Sequence, residues 1–136
     1  MFDYQKPSVQ MLGRWQPWHD GHTELFKKAL TITGQVVIMI RDVGGIVGQD
    51  AGAGRTVTQD DNPFDLDTVK ANIEQGLAEH GFKQNEHYII MLVPNIVDIS
   101  YGRGVGYTFT QHDLGEQVHN ISATKIRAEM RNKGEL

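Results

Sequence analysis

The chain has no cysteine. Disulfides, thiolate nucleophiles and thiolate-held metals are excluded, and nothing in the residue usage points to an oxidising compartment. Long hydrophobic runs are lacking too. No stretch approaches the roughly 20 apolar residues that a membrane-spanning helix needs, so no membrane partner is expected. Excess positive charge is the third absence. Lysine and arginine number 13 against 17 aspartates and glutamates, a formal charge of −4, which argues against a general nucleic-acid binder. A small anionic substrate is not excluded, because local groups decide that. The opening Met1-Phe2-Asp3-Tyr4-Gln5-Lys6 does not read as a signal peptide. A cytoplasmic location is the expectation, and the Asn120-Ile121-Ser122 sequon carries no weight there.

What is present is ordinary in amount and specific in order. With 136 residues, 39% of them hydrophobic and 22% charged, the chain reads as one globular domain spanning 1–136. Ser8-Val9-Gln10-Met11-Leu12, half apolar and followed by Gly13, reads as a strand. Residues 23–33 carry a helical stripe of Leu25, Phe26, Ala29 and Leu30 and stop at Gly34, with Glu24 and Lys28 spaced as an i,i+4 pair. Gln35-Val36-Val37-Ile38-Met39-Ile40 is apolar without alternation, which predicts a strand covered on both faces, as in a parallel sheet. Arg41 and Asp42 then stand at its carboxyl end, the edge where open α/β sheets bind ligands. Both suit a substrate contact or an internal ion pair.

Residues 43–61 are glycine-rich and polar, the composition of a lid, a contact arm or a disordered connection. The part 48–55 has no Gly-Lys-Thr ending and is not a P-loop. Asn62 as N-cap, Pro63 at the first helical position and Asp65 in the first turn predict a helix. Leu66, Val69, Ile73 and Leu77 mark its face, and Gly81 closes it. His87-Tyr88-Ile89-Ile90-Met91-Leu92-Val93 is the next strand, stopped by Pro94. Tyr101-Gly102-Arg103-Gly104-Val105-Gly106-Tyr107 reads as a tight loop, in which Tyr101 and Arg103 are acceptor contacts or plain loop residues. Tyr107-Thr108-Phe109-Thr110 reads as a short strand, and Ser122 as the cap of a last helix. The order strand, helix, strand, helix, strand, loop, helix predicts an α/β fold with a parallel sheet.

Between the first strand and the first helix lies Gly13-Arg14-Trp15-Gln16-Pro17-Trp18-His19-Asp20-Gly21-His22. His19 and His22 are three residues apart and able to point the same way. A helix N-terminus has unpaired N–H groups and the positive end of the macrodipole, which attract anions, and Gly13 and Gly21 let backbone approach a bound group. A phosphate chain is the natural ligand for such a corner. His-x-x-His with no third ligand nearby is not a metal site. Trp15 and Trp18 read as wall and core residues or as base-stacking platforms. His80, His87, His112 and His119 are assigned no role.

This stretch resembles the HxGH signature of the nucleotidyltransferase superfamily. Its wording is similar to the adenylyltransferase form, Gly-Arg-aromatic-Gln-Pro-aromatic-His-x-Gly-His, seen in nicotinamide mononucleotide adenylyltransferases. Ile121-Ser122-Ala123-Thr124-Lys125-Ile126-Arg127 resembles the Ile-Ser-Ser/Thr-Thr-x-Ile-Arg motif of the same family. The resemblance implies a compact, Rossmann-like parallel sheet with flanking helices. It also implies transfer of a nucleoside monophosphate, AMP in preference to CMP, from a nucleoside triphosphate to a phosphorylated small molecule, with Mg²⁺ as cofactor. By it, His19, His22 and Arg127 would be catalytic, and Gly13, Arg14, Trp15, Gly21, Ser122 and Thr124 would bind nucleotide. Ala123 departs from the pattern by lacking a hydroxyl, and 95–119 is too short for the full second half of larger relatives. A CTP-using transferase, a non-catalytic nucleotide-binding module and a structural assembly protein are the alternatives, and self-association into a homo-oligomer is left open.

Overall fold

The computed structural model describes residues 1–43, 62–103, 106–115 and 122–135, together with the backbone of 48–50 and 55–57. His119, Asn120, Ile121 and much of 43–61 lie outside the described residues. The elements are β1 (Val9–Gly13), α1 (Asp20–Thr33), β2 (Val36–Arg41), β3 (Gly48–Asp50), β4 (Arg55–Val57), α2 (Leu66–Ala78), β5 (Tyr88–Val93) and α3 (Ala123–Asn132). β1, β2 and β5 form a parallel sheet in that order, with Met11, Ile38 and Ile90 in register across it. Sequential parallel neighbours joined by helices place both crossovers on one face, given the right-handed rule.

That face is the core. Phe26 and Ala29 of α1 and Val69, Ile73 and Leu77 of α2 pack on Val36, Ile38 and Ile40, with Tyr88 beside them. Each such buried side chain contributes about 1.5–3 kcal/mol. The apolar stripes on α1 and α2 thus bury as their spacing predicts. β2 departs from expectation: its burial alternates, with Val37 and Met39 only half covered. Toward its end β5 loses cover as well, and Met91 and Leu92 are exposed. Among the described residues only one sheet face carries a full helical layer, so the unbroken apolar run of β2 overstates its burial.

Three local expectations also change. α2 starts at Leu66 with Asp65, not Asn62, as its N-cap; the Asp65 carboxylate accepts from Thr68 N at 2.9 Å. Asn62 is buried and engaged elsewhere. Residues 107–110 form no strand; Tyr107 and Phe109 are exposed, and Phe109 rests against Tyr101 with ring centroids 5.3 Å apart. The ion pair of α1 is Glu24–Lys27 at 3.0 Å, one residue short of the i,i+4 spacing. Within 43–61, β3 and β4 pair as an antiparallel ribbon, so that stretch is not structureless throughout. Gly34 and Gly81 end their helices at φ 83°, as turns that need a left-handed residue.

At the carboxyl end of β1 the chain folds back on itself. A Cβ built on Gly13 would lie 2.9 Å from two indole carbons of Trp15. That indole is buried and tied by its Nε1 to the Met39 carbonyl at 3.0 Å, so it has no room to yield. Gly13→Ala is expected to destabilise by about 1–3 kcal/mol through overpacking. Gly102→Ala, where an added Cβ meets nothing within 4 Å, is expected to stay within about 0.5 kcal/mol. Urea titrations of the two variants beside the parent check the contrast.

Candidate functional site

The site is built where β1 gives way to α1. Trp15 adopts φ 55°, and the Gln16–Pro17 peptide bond is cis. A left-handed conformation at a bulky residue costs on the order of 1–2 kcal/mol, and the Trp15 indole contacts offset it. The turn sets Trp15 and Trp18 against one another with centroids 5.0 Å apart. Trp18 donates Nε1–H to Thr23 Oγ1 at 2.9 Å, locking the second indole onto the first turn of α1. Both tryptophans are walls, as their burial shows.

His19 is the N-cap of α1. Its Nδ1 accepts from Gly21 N at 3.0 Å, and the His22 Nδ1 accepts from His19 N at 3.1 Å. This is a capping box written in histidine, with each ring taking a backbone donor of the other's segment. The rings stack at a centroid distance of 3.6 Å and 20° between planes. Because both Nδ1 atoms accept hydrogen bonds, the proton of each neutral ring sits on Nε2. Among the described residues neither Nε2 has a hydrogen-bond partner. Each ring therefore keeps an uncommitted Nε2–H donor.

The same geometry alters the expected part played by backbone. The N–H of Gly21 goes to His19 Nδ1, and those of His22 and Thr23 go to the His19 carbonyl. These three groups are already bonded within the cap and are not open to an anion, whereas the two imidazole Nε2–H groups are uncommitted among the described residues. Burial holds the His22 imidazole down at about 3, with the nearby His19 charge as a second cause. The His22 ring lies 4.7 Å from Trp15 and 5.3 Å from Trp18, which accounts for its dryness. His19 is also lowered by burial, partly opposed by the Asp20 carboxylate. Both rings are neutral near pH 7.

The two motifs meet. Arg127, 3% exposed, reaches from α3 to donate Nη1–H to the Gln16 carbonyl at 2.6 Å. Its Nη2 also lies 3.4 Å from Thr124 Oγ1. Ser122 caps α3, its hydroxyl accepting from Lys125 N at 3.1 Å. Arg14 donates to Asn62 Oδ1 at 3.2 Å. Gln16 clasps the same segment from its side chain, giving Nε2–H to the Phe64 carbonyl at 3.0 Å and accepting Phe64 N at 2.9 Å.

Arg41 donates twice to Asn95 Oδ1, at 3.2 and 2.8 Å, while Asp42 is exposed and bonds through its backbone to Val93. Tyr101 and Arg103 are exposed, and among the described residues no hydrogen bond or ring contact joins them to the histidines. The structure thus brings together Gly13, Arg14, Trp15, His19, Gly21, His22 and Arg127. It does not link Tyr101 or Arg103 to them.

Sequence reasoning passed over Gln16, Asn62, Phe64 and Gly76. Gln16 and Asn62 form bonds across 48 residues that no local pattern encodes. Gly76 did leave a signal, a glycine in mid-helix where alanine would be about 1 kcal/mol better. Its reason is Trp18, whose Cδ1 would lie 2.9 Å from an added Cβ. Among the described residues no three His, Cys, Asp or Glu side chains are grouped to hold a metal ion, and no helix is long and apolar enough to cross a membrane. No protein-family model matches this sequence, and no curated protein matches it either.

Neutral histidines make the fold sensitive to acid. Their folded pKa values are depressed, so the unfolded chain binds protons first as pH falls below about 6.5. Their contribution is complete above pH 6.5 and is lost toward the folded value of about 3 for His22. At pH 5 the loss from His22 is about 2 kcal/mol relative to pH 7. His22→Asn, which retains an acceptor for the His19 N–H, is expected to flatten that slope. Urea unfolding at pH 7, 6 and 5 measures it, and equal slopes in the two proteins would count against the neutral pair.

Proposed function

We propose that this chain is a nucleotidyltransferase of the HxGH type. It transfers a nucleoside monophosphate, AMP in preference to CMP, from a nucleoside triphosphate to a phosphorylated small molecule. The observation that carries the reading is the stacked histidine pair, whose Nδ1 atoms accept within the capping box so that each ring keeps its proton on Nε2. The docking of Arg127 onto the same turn supports it.

In this reading a phosphate oxygen of the acceptor attacks the α-phosphorus. The new oxygen–phosphorus bond forms as the bond to the bridging oxygen of the β-phosphate breaks, and its electron pair leaves on pyrophosphate. Negative charge is redistributed over the transferred group, and protein catalysis consists of positioning and charge stabilisation. His19 and His22 supply two neutral donors that need no reorganisation at the moment of reaction. With its pKa held near 3, His22 acts as a donor and not as a general acid near neutral pH. Arg127 fixes the Gln16 turn that precedes the pair. Mg²⁺ would be carried in with the triphosphate rather than by a group of His, Asp or Glu side chains among the described residues, and it would supply neutralisation of the charge on the departing pyrophosphate.

A second reading, a nucleotide-binding module without turnover, is favoured by one observation. Arg14 and Arg127 are both engaged inside the protein, on Asn62 and on the Gln16 carbonyl.

The test is pyrophosphate release across ATP, CTP, GTP and UTP with Mg²⁺ and a panel of sugar and nucleoside monophosphate acceptors. His19→Asn and His22→Asn are expected to lower the rate by about 10²–10³ each, as for loss of one preorganised donor, with helix content checked by circular dichroism. No release above the doubly substituted control from any pairing overturns catalysis. Calorimetric binding of an intact triphosphate would then leave the module.

A further inference from the structure

The strand order β1-β2-β5 makes β5 an edge strand, paired through its backbone on one side. Val36 N donates to the His87 carbonyl at 3.0 Å and Asp42 N to the Val93 carbonyl at 2.8 Å. β2 thus takes the odd-numbered residues, and the alternation of a parallel pair turns Tyr88, Ile90 and Leu92 outward. The Tyr88 carbonyl is closed off by Asn85 N at 2.7 Å. The backbone N–H and C=O groups of Ile90 and Leu92 have no hydrogen-bond partner among the described residues.

Proteins blunt such an edge with charge, proline or a bulge. Tyr88–Val93 has none of these: all six residues are uncharged and the register with β2 is unbroken. The side chains add an apolar margin, with Met91 41% and Leu92 48% exposed on opposite faces of the strand. The edge formed by β1 differs, because its one exposed residue is the polar Gln10.

A second copy of β5 fits this edge. Run antiparallel about a two-fold axis at Met91, the strand is complementary to itself. Ile90 faces the partner's Leu92 and Leu92 faces the partner's Ile90, each as a hydrogen-bonded pair exchanging N–H and C=O. Every outward backbone group of Ile90 and Leu92 is then used, with positive N–H ends against negative carbonyl ends. The ladder stops where each chain provides for it. Tyr88, whose carbonyl is already taken, meets the partner's Pro94, which has no N–H to give. Met91 meets the partner's Met91, and no charge in the strand is set against its like. One strand edge is less than the roughly 800 Å² per partner of a standard interface, so such a dimer is reversible.

We propose that β5 is a self-association edge, through which two copies of this chain join their sheets into one by antiparallel pairing centred on Met91. The proposal does not rest on the transferase reading and uses none of the residues assigned to it.

Sedimentation velocity of the full chain from about 5 to about 500 µM is expected to show monomer and dimer in exchange, as suits a small interface. Met91→Glu and Met91→Lys set like charges face to face and are each expected to weaken dimerisation by about tenfold or more, with circular dichroism confirming the fold. Mixing the two variants is expected to restore it, because the mixed pair sets opposite charges together. The chain has no cysteine of its own, so Met91→Cys reads the register. Cα atoms of a non-hydrogen-bonded pair lie about 4.5 Å apart, within disulfide reach. This variant is expected to cross-link under mild oxidation, and Leu92→Cys, offset by two residues from its counterpart, much less. A monomer at every concentration, no recovery on mixing, equal cross-linking at the two positions, or particles growing beyond the dimer overturn the proposal. Monomer throughout would leave the edge to an extended segment of another protein. Pyrophosphate release has no bearing on these outcomes, so failure here is distinguishable from failure of the transferase reading.

Discussion

Two imidazole rings stacked at 3.6 Å inside a capping box can coexist only if both are neutral, and the surrounding structure follows from that requirement. Each Nδ1 must accept, so neither ring can be protonated there without losing a bond that starts α1. Trp15 and Trp18 exclude water from His22, which removes the solvation an imidazolium would need. The left-handed turn at Trp15 and the bare Cα of Gly13 are what bring the indoles into that position. Cap, walls and tautomer are one arrangement seen from three sides.

A second set of contacts holds this arrangement in the domain. Gln16 forms hydrogen bonds through both ends of its side-chain amide with Phe64 and accepts Arg127 on its carbonyl. One residue thereby joins the segment before α2 and the first turns of α3 to the turn before α1. Burying the Arg127 guanidinium would be costly without acceptors; a carbonyl at 2.6 Å and the Thr124 hydroxyl offset that cost. The consequence is that Arg127 of the Ser-Ala-Thr-Lys-Ile-Arg stretch, with Thr124 beside it, is held against the turn before α1.

How much of this was legible in the sequence varied with the range of the interaction. The parallel strands were readable as short apolar runs bounded by glycine or proline and the two core-facing helices by their local 3.6 period, and Gly34 and Gly81 mark helix ends by a local conformational need. The helix start near residue 62 was not, since Asn-Pro-x-Asp offers two caps and only tertiary contacts choose. Arg14 takes the Asn62 side chain, leaving Asp65 to cap α2. β2 showed the opposite failure. An apolar run predicts cover on both faces, but cover depends on what the rest of the chain supplies, and here one face is only half covered. For the site, the spacing of His19 and His22 correctly placed both rings on one turn. It could not reveal that the first helical N–H groups would be taken up by the rings themselves.

By itself the sequence determined the order of the three sheet strands and the helices between them, the apolar faces of α1 and α2, and the placing of two histidines at a strand-to-helix corner. Each of these follows from residues within a few positions of one another. Only the tertiary structure decided the protonation and tautomer of the histidines, the seating of Arg127 on Gln16, and the packing of Trp18 over Gly76. Those depend on water exclusion and on contacts across 48 and 111 residues, where the energy lies in meetings between segments and not in any one segment's pattern.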